Sequence, residues 1–274
     1  MTGEFAVEQA GRFLGELAIQ IKRARGSRSA ERIHDLRVAL RRFKSVLQAL
    51  ESCFPDDGAR AIRLRLKGIM GAAGDVRDRD IAAELVGQMG APESGLLAGR
   101  FRSDRKKAAA VLSGLLKGWV DGQVGAEWDR ALKAGGGEAA YCAKPVMDSA
   151  RNAIRRIAEK QLRRGKRALR EDAPPKKLHR LRIATKEFRY TVDLFAPVLG
   201  DSAAKLVDEL KELQTLLGDI NDLASARRLV ETADDSGDIA RQLKKKQRKK
   251  IRKFRKAWSH RLGHVTKKAV ELGG

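Results

Sequence analysis

Ile33-His34-Asp35-Leu36-Arg37-Val38-Ala39-Leu40-Arg41-Arg42-Phe43-Lys44 decides the reading of this chain. It returns in altered form as Leu178-His179-Arg180-Leu181-Arg182-Ile183-Ala184-Thr185-Lys186-Glu187-Phe188-Arg189. Five of the twelve positions are identical and four more are like for like. On a helix turning about 100° per residue, His34, Arg37, Arg41 and Lys44 fall within roughly 80° of one another, and Ile33, Leu36, Leu40, Phe43 and Leu47 fill the adjoining strip. The second copy sets His179, Arg182, Lys186 and Arg189 beside Leu178, Leu181, Phe188, Val192 and Phe195. Both stretches read as amphipathic helices whose cationic strip borders the core-facing strip instead of opposing it.

Each copy is followed by a second match, Gly74-Asp75-Val76-Arg77-Asp78 and Gly218-Asp219-Ile220-Asn221-Asp222, 40 residues after His34 and 39 after His179. Lys67 and Lys211 each stand seven residues before that glycine. Two matches at nearly one offset point to a duplicated helical unit, with halves at 1–134 and 138–274 and Gly135-Gly136-Gly137 as the hinge or linker. The glycine–aspartate segments read as turns, their aspartates anchoring cations or capping the helix that follows.

The remainder is rich in Ala, Leu, Arg, Lys and Glu, holds only six prolines, and shows no alternating strand pattern, so an all-α fold is expected. Pro55-Asp56-Asp57-Gly58 and Gly90-Ala91-Pro92 read as helix ends, and Pro174-Pro175 and Pro197 as further boundaries.

Lys and Arg total 58 against 35 acids, a formal charge of +23 over 274 residues. Such an excess repels itself in the folded state and calls for an anionic partner: nucleic acid, an anionic membrane surface and polyphosphate all qualify on charge. The charge is uneven, +7 over 1–137 and +16 over 138–274. In Arg241–Lys256 eleven of sixteen residues are basic and none is acidic. Leu243, Ile251, Phe254 and Trp258 recur there at helical spacing, so this run reads as a long basic helix rather than a tail.

Aromatic residues separate the partners. Single-strand and RNA binders display stacking surfaces for bases, but aromatics make up 5% of this chain. Phe43, Phe101, Phe188 and Phe254, the ones interleaved with Lys and Arg clusters, sit where core residues belong. A ligand that is all phosphate needs no stacking platform. Like charges at three- and four-residue spacing destabilise an isolated helix, and a polyanion bridging them turns that repulsion into attraction. A bland reading competes, in which the strips pair with acids such as Asp75, Asp78, Asp219 and Asp222. Recurrence of the strip in both copies favours the ligand.

No phosphate loop, nucleophile elbow, HExxH or GxGxxG signature occurs, and a non-catalytic protein is expected. His34 and His179 lack a second ligand at metal spacing, and the pair His260 and His264 lacks a third; no metal or other cofactor is expected. The two motif histidines read as hydrogen-bond donors to phosphate or as ties to an aspartate across the bundle. Phosphoryl transfer through them is the last-ranked alternative. Cys53 and Cys142 are far apart in sequence and read as free thiols of a reducing compartment. The N-terminus lacks the layout of a signal peptide and no apolar run approaches the ~18–20 residues of a membrane span, so a cytoplasmic protein is expected.

The two helix motifs with their downstream Gly-Asp-Val/Ile-x-Asp segments closely resemble the CHAD family, the conserved histidine α-helical domain, over nearly the whole chain 1–274. The resemblance implies two pseudo-symmetric four-helix bundles with a basic groove between them, binding inorganic polyphosphate, and association with polyphosphate granules. Carried over by position, the groove would be lined by His34, Arg37, Arg41 and Lys44 from one half and by His179, Arg182, Lys186 and Arg189 from the other. Lys67 and Lys211 would join them from the following helices, and Arg102, Lys106, Lys246 and Lys250 are further candidates. One departure stands out: Arg41-Arg42 becomes Lys186-Glu187, and the acid is expected to weaken the second strip. A nucleic-acid binder using 241–256 is the alternative.

Overall fold

The computed structural model of the chain describes residues 1–27, 29–90, 93–134, 142–170, 173–233, 237–264, 266 and 269. These residues form nine α-helices and no strand, an all-α fold: α1 (Thr2–Ala24), α2 (Ala30–Ala49), α3 (Asp56–Gly87), α4 (Ser94–Asp121), α5 (Val124–Lys133), α6 (Val146–Leu169), α7 (Pro175–Leu199), α8 (Asp201–Glu231) and α9 (Gly237–Ala257). The Gly135-Gly136-Gly137 hinge lies outside the described residues. Among those described, no helix is long and apolar enough to cross a membrane.

The helices belong to two compact units, one of residues 1–80 with 102–149, the other of 81–101 with 150–274. In the first unit α2 starts at Ser29, whose side chain accepts the Arg32 amide, a cap worth about 1 kcal/mol. Its apolar strip is the core: Ile33, Leu36, Leu40, Phe43 and Leu47 are at most 1% exposed, each contributing about 1.5–3 kcal/mol of burial. Phe43 stacks on Trp128 of α5 with ring centroids 6.0 Å apart, and Trp119 of α4 meets the same indole edge-on at 6.1 Å. The strip of α2 that adjoins this core carries its half-buried cations.

Cys53, in a one-turn 3-10 helix, and Cys142 come together in this unit although they are far apart in sequence. The Cys142 thiol reaches the Ser52 carbonyl at 3.7 Å. Burial, followed by a hydrogen bond with Cys142, pushes the Cys53 thiol up to about 12.

In the second unit α7 takes the part of α2. Leu178, Leu181, Phe188, Val192 and Phe195 are at most 4% exposed. Leu178 and Leu181 pack with Leu213, Leu217 and Phe254, and Phe188 and Val192 with Ile154, Ala158 and Leu210. A third cluster joins Val86, Leu97 and Phe101 to Val230, Ile239 and Leu243. The basic run 241–256 is helical as its spacing indicated, with Leu243, Gln247 and Phe254 of α9 buried.

Three boundary readings need correction. Pro55-Asp56-Asp57-Gly58 does not end a helix: α2 has already stopped at Ala49, and α3 begins at Asp56, because proline and aspartate suit a first turn as well as a stop. Pro197 lies inside α7, whose end is set by Gly200 at φ 60°; in the last turn a proline removes one amide donor without breaking the helix. Gly74-Asp75 and Gly218-Asp219 are not turns, since both lie within continuous helices, α3 and α8, and their aspartates cap nothing.

Candidate anion-binding strips

In the first unit α2 presents exposed His34 and half-buried Arg37, Arg41 and Lys44 along one strip. Among the described residues Arg41 and Lys44 take no carboxylate partner. The glycine of the downstream motif explains itself here. A Cβ on Gly74 would come within 3.1 Å of Arg37 Nη1, so the bare backbone of α3 admits the guanidinium against the helix wall. One turn on, Arg77 of α3 faces His34. Burial lowers the pKa of His34, and Arg77 lowers it further; Asp35 opposes them, and Arg41 and Arg37 add to the depression. His34 is therefore held toward its neutral form inside a cluster of guanidinium groups, where an anion would be attracted and would restore its proton.

In the second unit α7 repeats the arrangement with different partners. His179 is exposed and Arg182, Lys186 and Arg189 are half-buried. Arg189 lies over the Tyr190 ring, 4.8 Å from its centroid. Nδ1 of His179 is 2.8 Å from Asn221 Oδ1 on α8. As the acceptor is an amide oxygen, Nδ1 is the donor in this contact. Asn221 stands in the second motif where Arg77 stands in the first, so the two histidines meet corresponding positions of the long helix that follows. The expected tie to an aspartate is instead a tie to this amide.

The acid expected to weaken the second strip is neutralised. Glu187 pairs with Lys160 of α6 at 2.6 Å and is turned toward that helix; its counterpart Arg42 approaches Glu16 of α1 at 3.7 Å.

The more distant candidates divide. Lys67 on α3 and Arg102 and Lys106 on α4 are exposed in the first unit. In the second, Lys211 bonds Asp208 on its own helix at 2.8 Å, Lys246 is exposed, and Lys250 of α9 is held by Asp219 of α8 at 2.6 Å. For Lys250 and Asp219 the bland pairing expected of the aspartates is what the structure contains. The residues that sequence reasoning passed over are Arg77 and Asn221. Both lay inside quoted motifs, and their signal was a shared distance of 43 and 42 residues from the histidines. Among the described residues no three His, Cys, Asp or Glu side chains cluster as metal ligands, and His260 and His264 are exposed.

The family model described as CHAD domain matches residues 8–231. The chain resembles the crystal structure of the CHAD domain from the plant Ricinus communis, at 21% identity and TM-score 0.65, covering 100% of this chain and 91% of that one. It also resembles PptA from Streptomyces chartreusis, at 15% identity and TM-score 0.66, covering 99% of this chain and 98% of that one. No curated protein matches.

Proposed function

From the premise that this chain belongs to the CHAD domain family, we propose that it binds inorganic polyphosphate without catalysing its turnover, through the His34 and His179 strips of a duplicated helical unit. The observation that carries this reading is the pairing of repeated cationic strips with the burial of nearly all described aromatic rings, Phe5 alone among them being half-buried. Phe43, Phe188 and Phe254 are fully buried, and Phe101, Tyr190, Trp119, Trp128 and Trp258 are at most 7% exposed. Stacking on bases is thus denied to every one of these rings, while Arg37, Arg41, Lys44 and their counterparts keep their charge near the surface. A ligand made only of phosphates uses what remains.

Affinity then comes from many charge-assisted contacts, so it falls steeply with salt and rises with polymer length. Association with polyphosphate granules in the cytoplasm belongs to the same proposal. Replacing Arg37, Arg41, Arg182 and Lys186 together by Glu abolishes polyphosphate binding with helicity retained; unchanged binding in that variant removes the strips from consideration.

One observation favours a second reading. On α9, Lys244, Lys245, Lys246, Arg248, Lys249, Arg252 and Lys253 are all exposed, enough charge to hold a nucleic-acid backbone without reading bases. Competition between long-chain polyphosphate and duplex DNA or structured RNA, at matched phosphate concentration and physiological salt, decides between the two.

A further inference from the structure

A cleft of about 280 Å³ opens in the second unit at the start of α7. Lys176 and His179 of α7 and Arg227 and Arg228 of α8 line it, and among the described residues no acidic one does. Arg227 leans toward Glu231 at 3.6 Å, whereas Arg228 Nη2 donates to the neutral Ser225 hydroxyl at 3.1 Å and so keeps its charge. The floor includes Leu217 and Ile220, both nearly fully buried, and apolar walls strengthen the field of the cations above them. At the back, buried Gln247 donates to the Ile220 carbonyl at 3.3 Å.

His179 belongs both to this cleft and to the α7 strip. A polymer following Arg189, Lys186, Arg182 and His179 travels about 15 Å along the helix and then meets the cleft. The repeat shows that this feature is particular to the second copy. Where it has Lys176, Arg227 and Arg228, the corresponding positions of the first copy are Glu31, Ala83 and Glu84. The first turns differ in the same sense: α2 has the Ser29 cap and Glu31, while α7 has neither a side-chain cap nor an acid, and Lys176 and Lys177 sit against the helix dipole.

We propose that this cleft holds the terminal phosphate of polyphosphate, so that the second unit captures chain ends. The inference rests on the polyphosphate reading above. An internal phosphate of the polymer carries one charge, whereas an end phosphate carries up to two near neutral pH, its second ionisation lying near pH 6. Cations on two helices and an apolar floor fit the more highly charged group, and a walled cleft fits a terminus better than a thread.

The test uses the full chain and three probes: tripolyphosphate, linear polyphosphate of medium length, and cyclic polyphosphate of matched size, which has no ends. Phosphorus NMR of the linear chain should show the terminal resonance shifted and broadened more than the internal ones, with linear bound more tightly than cyclic. Lys176→Ala with Arg228→Ala should weaken tripolyphosphate about tenfold or more and abolish the preference for linear over cyclic. Arg228→Lys should recover part of it, and Lys205→Ala, an exposed charge elsewhere on α8, should leave it intact; circular dichroism checks folding. Equal binding of linear and cyclic polymer, with terminal and internal resonances moving alike, overturns the end anchor and leaves polyphosphate binding standing. Absence of binding to all three probes overturns both.

Discussion

The α2 and α7 strips share one sequence pattern, yet their histidines have different company. His34 faces the guanidinium of Arg77 and is pressed toward neutrality; His179 faces the amide of Asn221 and is fixed by it. At the first strip His34 lies among Arg37, Arg41 and Arg77, with Asp35 opposing them. In the second unit Lys250 is tied to Asp219 and Glu187 to Lys160. Arg77 on one following helix and Asn221 on the other give the two histidines their different surroundings.

The comparison breaks most decisively under charge reversal. Arg37→Glu with Arg41→Glu, and separately Arg182→Glu with Lys186→Glu, should each lower polyphosphate affinity about a hundredfold at low salt, measured by titration calorimetry. A loss confined to one pair would show that only one strip meets the ligand.

A smaller effect is expected from pH. An anion at the first strip favours the protonated imidazole of His34, so the contribution of that strip to affinity should rise about three- to tenfold as pH falls from about 8 to 6, and His34→Gln should remove that rise. Proton NMR of His34 should show its pKa rising when polyphosphate is added. For stability the direction reverses. The folded pKa of His34 lies below the ordinary value of 6.5, so its contribution is complete above that value and is lost as pH falls through the lowered folded one.

The two motif glycines sharpen the contrast further. Gly218 has nothing within 4 Å of a Cβ, so Gly218→Ala should stabilise the protein by about 0.5–1 kcal/mol through helix propensity. Gly74→Ala must push Arg37 Nη1 back by a few tenths of an ångström, so it should gain less stability than Gly218→Ala and weaken binding slightly; denaturant unfolding and titration read the two effects. Smallest of all, Glu187→Gln should cost at most about 1 kcal/mol and raise affinity no more than about twofold, since Lys160 already screens that carboxylate.

Much of this was legible before any coordinates. Helical period placed Ile33, Leu36, Leu40 and Phe43 in the core and the cations beside them, because side-chain direction on a helix follows from spacing alone. The glycine–aspartate segments misled because glycine serves both to end helices and to let a neighbour approach a helix wall, and only the position of Arg37 distinguishes the two. Lys160 and Glu187, like Cys53 and Cys142, meet through tertiary packing, which no local pattern records. The cations of the α7 cleft were hidden for the same reason, although Lys176-Lys177 after Pro174-Pro175 was an unusual way to start a helix.

Residues 81–101, which precede the sequence midpoint, supply Val86, Leu97 and Phe101 to the second unit. A fragment cut at the midpoint would strand Val230, Ile239 and Leu243 beside an empty space and leave the donated hairpin with its own apolar side bare. The second unit therefore cannot be cut out at the midpoint with its core intact.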